Sequence, residues 1–189
     1  MLFYMANNSP EVINRIRVWE EALRKSYSYL LSMNFKSIEV TEDQYIKYKV
    51  GERWVNFHKE LTVNSSLLDS SVVHFCSIFS SGQGGNKMVR NTDSQVQNLR
   101  NDLLDMSLAR LGWTKEEYDK LFDKIKAQRD GLLAHYSGTL GDYKKVAEGI
   151  FSRKMVGIHL NQEESKKFKK LVNVLLEETF NLAYRNNNT

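Results

Sequence analysis

Arg129, Asp130 and His135 stand close together near the end of one predicted helix. A guanidinium makes forked contacts to phosphate or carboxylate. An imidazole exchanges protons near neutral pH. Their placement on the helix is unusual. At 100° per residue with Ile125 at zero, Tyr118 and Tyr136 fall at about +20°, Leu121 at about −40°, Phe122 at about +60° and Leu132 at about −20°. That set is a core-facing stripe. Arg129 falls inside it at about +40°, His135 on its edge at about −80°, and Asp130 well away at about 140°. An unpaired charge is costly to bury. Arg129 therefore pairs with an acid in the core, snorkels to water, or faces a cleft. Tyr136, on the stripe, is expected to pack in the core. A histidine at a helix end also serves as a dipole-compensating cap.

The other chemistry-bearing residues are more dispersed. His58 and His74 lie sixteen apart on the expected second helix, too far for an i, i+4 ligand pair, and His159 has no carboxylate cluster at metal spacing. All three are expected to be structural or surface residues. Cys76, beside Phe75 and Ile78, is expected to be a buried inert thiol. As the single cysteine it excludes an internal disulfide and a cysteine-rich zinc site, and it points to a reducing compartment. The glycines of Ser80-Ser81-Gly82-Gln83-Gly84-Gly85-Asn86 fail the phosphate-loop pattern, because no Gly-Lys-Ser/Thr closes it and no strand is expected before it. Lys166-Lys167 and Lys169-Lys170 either contact an anion such as RNA or form a solvated helix face.

Five main helices are expected to carry these groups. Ser9-Pro10-Glu11 opens the first, over about 9–34, with Val12, Ile16, Trp19, Leu23, Tyr27 and Leu30 inward. The second, over about 53–79, buries Trp54, Phe57, Leu61, Leu68, Val72, Phe75 and Phe79. The third, over about 93–111, stops at Gly112. Thr114 and Glu117 form a capping box that opens the fourth, over about 115–135. Asn161 through Glu164 open the last, with Phe168, Leu171, Val172, Leu175, Leu176 and Leu182 inward. Residues 36–52 read as irregular structure and then helix, and 141–151 as a short helix. The tail Asn186-Asn187-Asn188-Thr189 should fray.

With 189 residues, 41% hydrophobic and 26% charged, the chain fits one globular domain, with an ordered core over 8–185, and argues against wholesale disorder. The single proline, Pro10, argues against a turn-rich β-sandwich or barrel. No apolar run approaches the roughly 20 residues that span a bilayer, so no membrane partner is expected. The apolar N-terminus lacks the basic region and cleavage site of a signal peptide, and a cytoplasmic location is expected. A net charge of +4 permits an anionic partner but does not single one out.

The segment Gln128-Arg129-Asp130-Gly131-Leu132-Leu133-Ala134-His135-Tyr136 resembles the signature of the HEPN superfamily: Arg, a polar residue, a few residues often ending in Ala, then His. Five residues separate Arg129 from His135, within the family's spacing. Leu67-Leu68-Asp69 through Phe79 looks like the long second helix of HEPN proteins from abortive-infection systems. The resemblance covers 10–182 in architecture, though its specific part is about nine residues. It implies an all-α HEPN-like bundle and a metal-independent endoribonuclease, active as a homodimer without a cofactor. Arg129 and His135 would be catalytic and Asp130 supporting. It also implies an RNA substrate and an antitoxin or defence-system partner. In relatives silenced by nucleotide modification a Tyr stands two positions after the His; here Tyr136 follows directly and Ser137 takes that place. A non-catalytic HEPN-like module that binds nucleotide, RNA or a protein remains open beside the nuclease, as does a helical scaffold in which Arg129 is only ion-paired.

Overall fold

The structure, a computed structural model, describes residues 10–34, 45–50, 53–79, 94–136, 143–147, 150–153 and 160–184. It is an all-α bundle. Among the described residues the helices are α1 (Pro10–Ser32), α2 (Lys59–Phe79), α3 (Ser94–Leu111), α4 (Lys115–Tyr136) and α5 (Gln162–Tyr184). Between them run two short antiparallel hairpins, β1 (Tyr45–Val50) with β2 (Arg53–His58), and β3 (Tyr143–Ala147) with β4 (Ile150–Arg153).

α1 is the hub. It packs against α2 on one side and α5 on the other, while α3 lies on α5 and α4 lies on α2. Its expected stripe is the buried one: Val12, Ile16, Trp19, Leu23 and Leu30 are all at most 2% exposed. At the α1–α2 crossing, the Ser26 and Ser71 hydroxyls lie 2.7 Å apart and Ser26 Oγ donates to the Ser71 carbonyl at 3.0 Å. Small hydroxylated residues let the two helices approach while each polar atom keeps a partner. Phe75 holds the centre, stacking on Phe79 at 4.9 Å and meeting Phe168 edge-on at 5.1 Å and Phe122 at 6.2 Å. One ring thus joins α2, α4 and α5 in a single core.

The corner between α3 and α4 is built from local signals. Gly112 sits at φ 67°, a conformation glycine takes without Cβ strain. Its N–H donates to the Ala109 carbonyl at 3.2 Å, and the Trp113 N–H to that of Leu108 at 3.0 Å. These two bonds are a Schellman ending. Thr114 then opens α4: the Glu117 N–H donates to Thr114 Oγ1 at 3.2 Å, and the Thr114 N–H to Glu117 Oε2 at 2.8 Å. Asn161 and Glu164 exchange the same pair of bonds at 2.9 Å each to start α5.

Three expectations are corrected. α2 begins at Lys59, so Trp54 and Phe57 stand on β2. Residues 45–50 are strand rather than helix, and 143–153 hold a hairpin in place of a short helix. The cause is a competing period. From Tyr45 to His58 the sequence is rich in aromatic and β-branched residues, with Gly51-Glu52 in the middle. The register pairs Ile46 with Phe57, Tyr48 with Val55 and Val50 with Arg53. In the second hairpin Tyr143 pairs with Arg153 and Ala147 with Ile150, with an irregularity between Lys145 and Ala147. The connector at 80–86, His159 and the tail at 186–189 lie outside the described residues.

Candidate functional site

α4 delivers Arg129 and Asp130 to the edge of its seam with α2. Ile125, one turn earlier, is fully buried. Gln128 is 5% exposed, and its Nε2 donates to Asp69 Oδ1 of α2 at 2.7 Å. This bond ties α4 to α2 eight residues before the helix ends at Tyr136. The Arg129 side chain is 19% exposed and that of Asp130 60%. Arg129 Nε donates to Asp130 Oδ1 at 2.8 Å, and Nη2 reaches the same oxygen at 2.6 Å. Arg129 forms an ion pair with its exposed neighbour Asp130. Asp130 orients the guanidinium while remaining in contact with water.

His135 belongs to the last turn of α4, six residues after Arg129. The helical rise between them is about 9 Å. The side chains of 131–136, including His135 and Tyr136, lie outside the described residues. The structure therefore brings Arg129 and Asp130 together and places His135 on the same helix.

Cys76 faces this seam from α2. Burial pushes its thiol up to about 12, with the charges of Arg129 and Lys126 pulling it down more weakly and that of Asp130 adding to the rise. The thiol is buried and stays protonated, as its apolar neighbours suggested. His74 stacks on Tyr29 of α1, with ring centroids 5.8 Å apart. Burial and the nearby Lys25 hold its imidazole below the ordinary value, against the opposing pull of Glu21. His58 ends β2 and so shares no helix with His74. Among the described residues no group of three or more His, Cys, Asp or Glu side chains could hold a metal ion, and no helix is long and apolar enough to cross a membrane.

Two of the clefts among the described residues lie elsewhere on the bundle. One, of about 530 Å³, lies between the starts of α4 and α5, bordered by Trp113, Leu121, Lys120, Lys124 and Lys167. The other, of about 750 Å³, joins α1, α3 and α5 around Glu20, Arg24, Arg110 and Phe180. Arg129 and Asp130 line neither. The sequence reading missed the first cleft, though Trp113 directly after a helix-stopping glycine was its visible signal. It also missed the Gln128–Asp69 bond, whose partners are 59 positions apart and share no local pattern. Comparison with protein-family models, curated proteins and solved structures finds no match to this chain.

Proposed function

We propose that this chain is a metal-independent endoribonuclease of HEPN type, acting as a two-fold homodimer in the cytoplasm, in phage defence or as the toxin of a toxin–antitoxin pair. The observation that carries the reading is the Arg129 guanidinium, held on α4 by Asp130 at 2.6 and 2.8 Å, one and a half turns before His135. Cleavage at an RNA phosphate requires a base for the 2′-hydroxyl, an acid for the leaving 5′-oxygen and positive charge at the phosphorane. Arg129 supplies that charge in a geometry matched to phosphate oxygens. Asp130 limits the rotamers of Arg129 and so lowers the entropy lost on binding phosphate. His135 supplies a proton-transfer group. One copy supplies a single histidine in this motif and the reaction wants two transfers, so two α4 ends are apposed across a two-fold axis. The 2′-oxygen bonds to phosphorus as the bond to the 5′-oxygen breaks. One imidazole takes the 2′ proton and the other protonates the leaving oxygen.

The test is incubation of the purified chain with single-stranded RNA in EDTA. Cleavage leaving a 2′,3′-cyclic phosphate and a 5′-hydroxyl is expected. His135→Ala should slow it by about two to four orders of magnitude, the usual worth of a general acid–base group. RNA with a blocked 2′-hydroxyl should bind and resist cutting. Activity that needs Mg²⁺, or a His135→Ala variant as fast as wild type, would overturn the assignment. Binding without any cleavage would make the chain a non-catalytic RNA-binding module.

A further inference from the structure

We infer that Asp69 of α2 is a positioning residue for Arg129, acting through Gln128 to set the roll of α4 on α2. The inference rests on the ribonuclease reading for the reaction that Arg129 serves. α4 lies on α2, and much of the seam between them is apolar. Phe122 meets Phe75 edge-on at 6.2 Å, and Leu68, Val72 and Ile125 belong to the same buried cluster. Apolar contact is non-directional. It holds two helices together without fixing how far one is turned about its own axis. A directional contact enters at Gln128, which is 5% exposed and donates Nε2 to Asp69 Oδ1 at 2.7 Å.

Stability alone is a poor reason for this bond. Both groups give up water to make it, and an apolar pair of the same shape serves stability as well. What the polar pair adds is direction. With Ile125 at zero on the helical wheel, Gln128 falls at about −60° and Arg129 at about +40°, on opposite flanks of the seam. Pinning Gln128 on one flank therefore sets where Arg129 emerges on the other. A side chain stands about 5–6 Å from the helix axis, so a roll of about 10° carries it about 1 Å. A misplacement of about 1 Å at a reacting phosphate can cost about a hundredfold in rate. Asp130 cannot perform this task, because its carboxylate rides on α4 beside the arginine and turns with it. Asp130 limits the rotamers of Arg129, and Asp69 orients the helix that carries both.

The test is the double variant Asp69→Leu, Gln128→Met, which replaces both partners with apolar groups of similar size. It should fold and melt close to the wild type, because exchanging a whole buried polar pair for apolar groups is nearly neutral. On single-stranded RNA in EDTA its kcat should fall by about 10–100-fold with KM little changed, since Arg129 answers charge that develops in the transition state. Asp69→Asn keeps an oxygen for the Gln128 amide and should retain most of the rate. Hydrogen exchange along α4 supplies a readout that needs no activity. In the double variant the last two turns of α4 should exchange roughly tenfold faster, while the first turns exchange as in the wild type. A loss of rate that only follows a loss of melting temperature would make the bond a stabilising contact and overturn the inference. A double variant with wild-type rate and wild-type exchange also overturns it and leaves the nuclease standing. A wild type that never cuts removes the nuclease, and exchange then decides alone. Faster exchange confined to the end of α4 keeps the positioning pair, and unchanged exchange removes it.

Discussion

Arg129 gives two of its nitrogens to a single oxygen of Asp130, and that partner is the adjacent residue on an exposed turn. Removing one partner of a buried pair strands a charge and costs about 3–5 kcal/mol. Asp130, left behind by such a change, is 60% exposed and stays hydrated. Arg129→Ala should therefore cost about 1 kcal/mol or less in urea unfolding while abolishing RNA cleavage. A loss of several kcal/mol would mark the arginine as a structural ion-pair member and favour the scaffold reading. Cys76 gives a second expectation. Its folded thiol ionises at about 12, against 9.0 in an ordinary setting. The unfolded chain thus releases its proton first, and stability contributed by the neutral buried thiol falls as pH rises past about 9. Cys76→Ala should remove that alkaline slope, and the native thiol should resist disulfide reagents at pH 8. His74 works in the opposite direction. Its folded value lies below the ordinary 6.5, so the unfolded chain binds the proton more readily. Stability should fall as pH drops below about 6.5, and a His74→Phe variant should lack that fall in urea titrations.

The α3–α4 corner shows what a local signal can specify. No atom lies within 4 Å of a Cβ built on Gly112, so Gly112→Ala meets only the strain of its positive φ. That strain should cost about 1–2 kcal/mol. Thr114→Ala should cost about 1 kcal/mol through the lost cap, and urea midpoints check both. These elements were legible because all their partners lie within five residues. The stripes of α1 and α5 were legible for a related reason, since their buried residues repeat every three or four positions along one helix. The hairpins were not. Trp54, Phe57 and Leu61 suit a helical stripe and a strand followed by a helix equally well, and short apolar runs do not choose between the periods. At the candidate site the wheel placed Arg129 inside the core-facing stripe but could not select its partner. Asp130 lies about 100° round the helix from Arg129, and only the long reach of the guanidinium lets them meet.

The five helices leave a single candidate motif per chain, carried on the last turns of α4. If the reaction uses residues from two copies, function becomes a property of the pair. Light scattering at micromolar concentration should then show a dimer, and a monomer would count against the reading. A sharper test uses two inactive variants. Arg129→Ala and His135→Ala homodimers each lack one kind of group at every position. Unfolding and refolding an equal mixture should give about half mixed dimers, each with one Arg129 and one His135 across the two-fold axis. In an apposed site these two groups share one phosphate, and cleavage should return to a measurable fraction of the wild-type rate. In a chain that cuts alone, every copy in the mixture still lacks either its arginine or its histidine, and mixing restores nothing. The change in α4 behind each variant is small, because the Gln128–Asp69 bond and the buried Ile125 still hold the helix on α2. Recovered cleavage would therefore place an Arg129 and a His135 of different copies in one site, while a mixture that stays inactive beside an active wild type would show that one histidine per dimer does not suffice or that no site is shared.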